Sequence, residues 1–352
     1  MELFALDLGN IQTKMKSDKA EKVFPSKFGY YEDLGNQDTS IRKSKRDIRE
    51  YAVNFDNEFS YAWGADISEA KLSFIDTIGF EDRYSTHEFR LLCSFAIGEL
   101  AKDFKQAKDS ILEVDIITGV PTDEFNENAV KSIMRVLKAD HNVTVEGERL
   151  NVRVNEVKII PQPVGTVYNE MLDDAGFVKE EDFETQTISV VDCGGGTVLI
   201  DTLNNMNLSE TGRTQVEEGA HHLYDYIISE CKKENISLAR NDIETILREQ
   251  KDKYIYSPNK DISHDITKAV NKGISKYTNT LINTVTTTLK NTSHIDTLFF
   301  TGGAANLINK KEVLKRFKRA LFIDNSEIAN VRGFYKYGVA ISESTSEGVP
   351  HE

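Results

Sequence analysis

The sequence predicts an α/β protein built of two similar halves, and three observations predict it. Buried-strand runs alternate with helix-spaced apolar stripes along the chain. Two of those strand runs end in an aspartate and a glycine turn before a second run begins. One is Asp7-Leu8-Gly9-Asn10 near the start, the other Asp192-Cys193-Gly194-Gly195-Gly196 past the middle. At 352 residues, the chain has the length of two or more domains.

Leu3 to Leu8 reads as a buried strand, and Gly9-Asn10 turns it into a more polar run around Thr13 to Lys16, so the chain opens on a hairpin. Tyr51, Val53 and Phe55 alternate before Asp56-Asn57-Glu58, and Phe59, Tyr61 and Trp63 alternate after it, which predicts a second hairpin turning there. Residues 30–85 around it read as a small, loop-rich inserted subdomain. Thr86 opens a helix reaching Phe104, with Leu91, Phe95, Ile97 and Leu100 at helical spacing. ILEVDIITGVP is a central strand, followed by a helix from Asp123 to Leu137. VTVEGERLNVRV is a hairpin turning at Glu146-Gly147, and VKIIPQPVGTVYNEML is a strand that enters a helix across Pro161 and Pro163.

In the second half, helices over residues 217–233 and 241–250 precede a longer one. Its stripe of Ile266, Val270, Ile274, Tyr277, Leu281, Val285 and Leu289 is a core face. IDTLFFTGGAANLI is a buried strand breaking at Gly302-Gly303 into a helix, and FYKYGVAIS is a closing helix. The tail from Glu343 reads as polar and disordered. The expected division is residues 1–161, residues 162–330, a closing helix 331–342 packing back on the first domain, and the tail 343–352.

Lysine plus arginine number 43 against 57 aspartates and glutamates, a net charge of −14 that argues against the broad basic face of a direct DNA binder. The three cysteines, Cys93, Cys193 and Cys231, are odd in number and lack metal-ligand spacing, so a reducing, cytoplasmic setting is expected without disulfides or zinc. No basic leader precedes an apolar stretch, and no apolar run reaches about 18 residues, so neither a signal peptide nor a membrane span is expected.

The chemistry lies in the glycines. A two-residue turn closes an ordinary hairpin, so three successive glycines imply close approach of something to the backbone. Successive turn amides form a nest for phosphate oxygens. A carboxylate at such a site is tolerable only with a divalent cation, so Asp7 and Asp192 are candidate holders of a hydrated Mg²⁺, with Lys14 adding a point charge to the phosphates. The P-loop and GxGxxG patterns are both absent. A third break, Thr301-Gly302-Gly303-Ala304, suits an adenosine moiety. Cys193 reads as a small turn residue and His221-His222 as a surface pair, since neighbours on a helix diverge.

Taken in order, ALDLGN with Lys14, TGVP, IIPQPVG, VVDCGGGT, EEGAHHL, FFTGGAANLI and YGVA resemble the phosphate-1, connect-1, phosphate-2, adenosine and connect-2 segments of the actin, sugar-kinase and heat-shock-chaperone superfamily. Within it the chain is most similar to ParM-type bacterial actins. The resemblance implies an actin-like fold of two ribonuclease-H-like halves, with small inserted subdomains, around a nucleotide cleft. It implies ATP and Mg²⁺ as cofactors, with Asp7 and Asp192 holding the metal through water. Gly9, Asn10, Lys14, Gly194, Gly195, Gly196 and Thr197 would contact phosphate, Gln162 would orient the attacking water, and Gly219, Gly302, Gly303 and Ala304 would line the adenosine.

It further implies a filament-forming ATPase that partners itself and moves plasmid DNA through a small basic DNA-binding adaptor of the ParR type. Two alternatives stand beside this. A small-molecule kinase of the same superfamily needs a carboxylate base where the sequence has Gln162. A chaperone-type nucleotide switch needs a peptide-binding domain, which nothing after residue 342 is expected to form.

The charge balance makes the first prediction. The purified chain should not retard DNA at physiological salt, and sequence-specific retardation in a gel-shift assay would remove the need for an adaptor.

Overall fold

The computed structural model describes residues 1–35, 46–77, 83–250 and 252–347. Parts of the stretch expected as an inserted subdomain, and the end of the tail, lie outside the described residues. In chain order the first elements are β1 (Glu2–Leu8), β2 (Gln12–Lys16), β3 (Glu21–Pro25), β4 (Lys27–Tyr30), β5 (Arg49–Val53), β6 (Asp56–Trp63), β7 (Ile75–Asp76), α1 (His87–Ala101), α2 (Lys105–Asp109), β8 (Leu112–Val120), α3 (Glu127–Leu137), β9 (Asp140–Val145), β10 (Glu148–Pro161) and α4 (Gln162–Met171). There follow β11 (Thr187–Cys193), β12 (Val198–Asn204), β13 (Asn207–Leu208), β14 (Thr214–Val216), α5 (Ala220–Lys232), α6 (Arg240–Glu249), β15 (Ile255–Tyr256), β16 (His264–Asp265), α7 (Thr267–Leu289), β17 (Thr297–Thr301), α8 (Lys310–Arg316), β18 (Ala320–Phe322) and α9 (Ala329–Glu347).

The chain divides into two compact units, Met1–Glu180 together with the chain from Asn330, and Glu181–Ala329. Each unit has the same sheet plan. In the first, strands run in the order β3-β2-β1-β8-β10, with β2 antiparallel to β1, and β1, β8 and β10 parallel. In the second the order is β13-β12-β11-β17-β18, with β12 antiparallel to β11, and β11, β17 and β18 parallel. The two halves legible as repeated turns are therefore repeated sheets, each placing an aspartate at the end of its first strand.

Three boundaries differ from the sequence reading. Residues 162–180, expected in the second domain, belong to the first unit because α4 packs on β8 and β10. The inserted strands are not a separate body: β5 pairs with β9, so the sheet of the first unit runs on through β9-β5-β6-β4-β7. The tail expected from Glu343 is helical as far as Glu347. Within the insertion the hairpin turns two residues earlier than alternation suggested. Val53 pairs with Asp56, so the turn is Asn54-Phe55, and a bulge between Tyr51 and Val53 absorbs the shift. Glu146 and Gly147 do form the other turn, both at positive φ (51° and 79°), the primed geometry that matches strand twist.

The cores follow the apolar patterns. Phe4, Leu6, Met15, Tyr51, Trp63 and Phe95 are fully enclosed in the first unit. Val270, Tyr277, Leu281 and Val285 on α7 bury the expected stripe against β11, β17 and α5 in the second. Among the described residues no helix is long and apolar enough to cross a membrane.

Helix α9 fixes α4. A Cβ added at Gly333 would lie 1.7 Å from the Gly165 carbonyl oxygen, so the two helices touch backbone to backbone. Thr166 Oγ1 donates to Asn330 Oδ1 at 2.7 Å, and buried Phe334 covers Gly119 and Gly165. At the far end of α4, Lys336 Nζ donates to the carbonyls of Asn169 (2.9 Å) and Leu172 (3.1 Å), meeting the negative end of the helix dipole. Burial lowers the pKa of this lysine. Gly333→Ala should therefore force α4 and α9 apart and cost about 3 kcal/mol, read as a lower denaturant midpoint; an unchanged midpoint would show that the crossing does not carry the unit.

Candidate nucleotide site

In the first unit the β1–β2 hairpin ends in a turn from Gly9 to Ile11. Asp7 is 2% exposed and stands opposite Lys14, whose Nζ donates to Asp7 Oδ2 at 2.9 Å. The cation predicted for phosphate thus pairs with the carboxylate predicted for metal. Gly9 must be bare, because an added Cβ would lie 2.8 Å from the Gln12 carbonyl oxygen. The turn's carbonyls face inward: Gly9 accepts from Ser26 Oγ (2.6 Å) and Arg83 Nη2 (3.1 Å), and Ile11 accepts from the Ser26 amide (2.8 Å). Arg83 is itself buried, its Nε donating to the Thr77 carbonyl at 2.9 Å. Asn10 is half-buried at the tip and has no hydrogen-bond partner among the described residues. Sequence reasoning missed Ser26 and Arg83, since an isolated serine and arginine in a polar stretch carry no local signal.

Gln162 opens α4, with Pro161 as N-cap and Pro163 in the first turn. The register Leu6–Thr118–Ile159 across β1, β8 and β10 puts it at the same carboxyl edge as Asp7. The two lie two strands apart, about 10 Å at ~4.8 Å per strand.

In the second unit the β11–β12 hairpin carries the triple glycine. Gly194 donates to the Thr197 carbonyl at 2.9 Å, which closes the turn. The first turn of α5 then takes all three glycine carbonyls: Gly219 donates to Gly196 (3.1 Å), Ala220 to Gly194 (3.0 Å) and His221 to Gly195 (3.0 Å). With the carbonyls drawn onto the helix, the amides of Gly195, Gly196 and Thr197 have no hydrogen-bond partner among the described residues. Of the three glycine amides expected to hold phosphate, the structure thus presents two, because the amide of Gly194 is engaged within the turn.

Gly219 is the close-approach residue. A Cβ there would lie 2.6 Å from Gly195 O, Gly196 C and Thr197 N. It packs against the glycine turn. The segment before it is anchored by Thr284 Oγ1, which donates to Glu218 Oε2 at 2.7 Å.

Asp192, 5% exposed, pairs in register with Thr301 on β17, so the turn after β17 abuts it. Gly302 has φ +84°, and a Cβ there would meet Asp192 Oδ1 and the Cys193 carbonyl oxygen, both at 2.4 Å. Ser326 holds this turn from both sides: its carbonyl accepts from the Gly302 amide at 3.1 Å and its Oγ donates to the Gly302 carbonyl at 2.8 Å. Ser326 was likewise not found from sequence. Gly303 is exposed, with only Glu327 Cγ near its absent Cβ, at 4.0 Å. Ala304 is 1% exposed and belongs to the core, so it supports the turn from beneath and does not line an open surface. The expected helix here is a single 3₁₀ turn, Gly303–Asn306.

Each unit has a buried carboxylate at a strand end, Asp7 in the first and Asp192 in the second, of the hard-oxygen type that would hold a hydrated Mg²⁺. The bare Gly302 lets the backbone come close to Asp192 Oδ1, where a side chain would collide. Among the described residues no group of three or more His, Cys, Asp or Glu is placed to hold a metal ion. Cys193 is fully buried, and desolvation raises its thiol pKa, so it is an inert packing residue. His221 is half-buried with its pKa lowered by desolvation.

Two family models match this chain, the N-terminal domain of actin-like proteins over residues 5–165 and the Alp7A C-terminal domain over residues 187–328. The chain is an actin-like protein of the ParM type. Among solved structures, this actin-like protein resembles apo pSK41 ParM at 25% identity, covering 98% of this chain and 99% of that one with a TM-score of 0.76. A Bacillus thuringiensis ParM with ATP is 15% identical over 98% of this chain and 99% of that one, with a TM-score of 0.68. An Alp12 filament is 16% identical over 97% and 99%, also with a TM-score of 0.68. No curated protein matches the sequence.

Gly302→Ala tests the assignment of the β17 turn. The positive φ costs about 1 kcal/mol or more in a non-glycine residue, and the added methyl collides with Asp192. Mg-ATP affinity in a fluorescent-analogue titration should fall at least tenfold, that is by about 1.4 kcal/mol. Parental affinity would remove Gly302 from the site.

Proposed function

We infer that this chain binds Mg-ATP at its two aspartate–glycine turns, hydrolyses it, and assembles into filaments that move plasmid DNA through a small basic DNA-binding adaptor of the ParR type. The observation that carries this reading is the β11–β12 turn, where α5 draws three glycine carbonyls inward and leaves adjacent amides beside the buried Asp192. Such an array binds phosphate oxygens. The Bacillus thuringiensis ParM with ATP and the Alp12 filament, both of the same fold, support it as relatives.

The roles divide by chemistry. The amides of Gly195 and Gly196 bind phosphate in one unit. In the other, Asn10 lies at the tip of the matching turn, and Lys14, paired with Asp7, adds positive charge there. Mg²⁺, when bound, neutralises phosphate charge, and Asp7 and Asp192 hold its waters. Gly303 leaves a bare surface for the nucleoside. Gln162 orients a water through its carboxamide, whose oxygen accepts a hydrogen bond from the water and whose NH₂ donates one to it. An amide is too weak a base to deprotonate a substrate hydroxyl, which disfavours the kinase reading. The reading places the protein in the cytoplasm.

Gln162→Ala tests the mechanism. Loss of a positioning group of this kind lowers the rate by about 10²- to 10⁴-fold. Phosphate and metal contacts lie on other residues, so the variant should bind ATP and assemble, and its filaments should outlast the parent's. Phosphate release and light scattering followed together decide it. Hydrolysis at the parental rate, or normal ATP binding without assembly, would make Gln162 a joint residue only.

A further inference from the structure

One short segment reverses the acidity of the chain. Residues 310–319, KKEVLKRFKR, hold six cations and one acid, while the remainder holds 37 cations against 56 acids. Val313 and Phe317 turn into the core of the second unit, and that leaves Lys311, Leu314 and Lys315 facing outward at helical spacing. Some of these cations have local partners: Lys315 pairs with Glu312 at 2.7 Å, Lys310 Nζ lies 5.0 Å from the Phe322 ring centroid, and Arg319 donates to the Ser293 and Ile295 carbonyls. Lys311, Arg316 and Lys318 make no ion pair among the described residues, although the chain carries 14 more acids than bases. Two large apolar side chains are exposed in the same stretch, Leu314 at 40% and Leu321 at 51%. Leu321 lies on β18, the end strand of its sheet, so the patch continues from the helix onto a sheet edge.

We propose that this basic, leucine-bearing face, residues 310–321, docks an acidic surface of a second copy of the chain. Charge complementarity selects that occupant. Every other copy presents a surface more acidic than the net charge of −14 indicates, because the cations of this segment are concentrated in one place. Nucleic acid is disfavoured, since its phosphates would have to approach through the field of the remaining acids. A basic face meeting a different, acidic face is a heterologous contact, and such contacts propagate into open polymers when the rotation does not close. The exposed leucines add apolar surface to bury beside the cations, and interfaces combine the two. The inference rests on the filament reading and names a surface that the filament uses.

The test compares the parent with the triple variant Lys311→Glu, Arg316→Glu, Lys318→Glu by sedimentation with Mg²⁺ and a slowly hydrolysed ATP analogue. These side chains are exposed and make no ion pair among the described residues, so the fold should survive, and titration with the fluorescent nucleotide analogue checks that it has. The expected result is parental nucleotide affinity with a critical concentration raised at least about tenfold, and a parental critical concentration that itself rises with salt. Assembly of the variant at the parental critical concentration overturns the proposal. So does retardation of DNA, or co-flotation with anionic vesicles, by the parent and not by the variant, because the face would then serve another partner. A parent that binds nucleotide yet never pellets fails the filament reading itself, and the proposal falls with it.

Discussion

A glycine turn can offer its amides outward only if its carbonyls are held elsewhere, and in the second unit the N-terminus of α5 meets that constraint. Its first three amides would otherwise be unsatisfied helix donors. Each instead donates to one carbonyl of Gly194, Gly195 or Gly196. The arrangement solves two problems with one set of bonds, each worth about 1 kcal/mol net. It satisfies the helix end, and it orients the turn so that Gly195 and Gly196 point their N–H groups away. The helix dipole acts in the same direction, since its positive end lies behind the turn.

Much of the local sequence follows from that contact. Gly219 has no side chain because the turn occupies the space one would need, with three backbone atoms at 2.6 Å. Thr284 on α7 anchors Glu218 just before it, so the long helix and the turn share a fixed relation. Gly302 completes the edge from the other side, and its positive φ and its nearness to Asp192 both exclude a Cβ. Gly219 and Gly302, from separated segments, thus serve one purpose, letting backbone approach backbone around a buried carboxylate.

The first unit reaches the same end by different means. No helix N-terminus takes the carbonyls of the β1–β2 turn; Ser26 and the buried Arg83 take them. Both lie on the stretch that enters and leaves the inserted strands, so the insertion is bonded to the turn and to the sheet alike. Gln162 is set at the same edge from another direction, by a proline-stiffened joint at one end of α4 and by Lys336 at the other.

The sequence by itself determined the type of the main elements and where the glycine turns and strand-end aspartates fall along the chain. Apolar period distinguished strands from α7, glycine spacing marked the three turns, and two aspartates each closed a buried strand, because these are local properties of side-chain size and polarity. The same pattern carried the family resemblance. What only the tertiary structure decided is which groups those turns engage. Lys14 pairs with Asp7 because they sit opposite in a hairpin register, and Ala304 is core because β17 leads into a single 3₁₀ turn. Gly219 packs on the triple glycine, and Ser26, Arg83 and Ser326 hold turns distant from them in sequence. No local pattern specifies such bonds, since a carbonyl acceptor has no side chain and so leaves no mark in the sequence, and its donor can come from any segment that folding brings within about 3 Å.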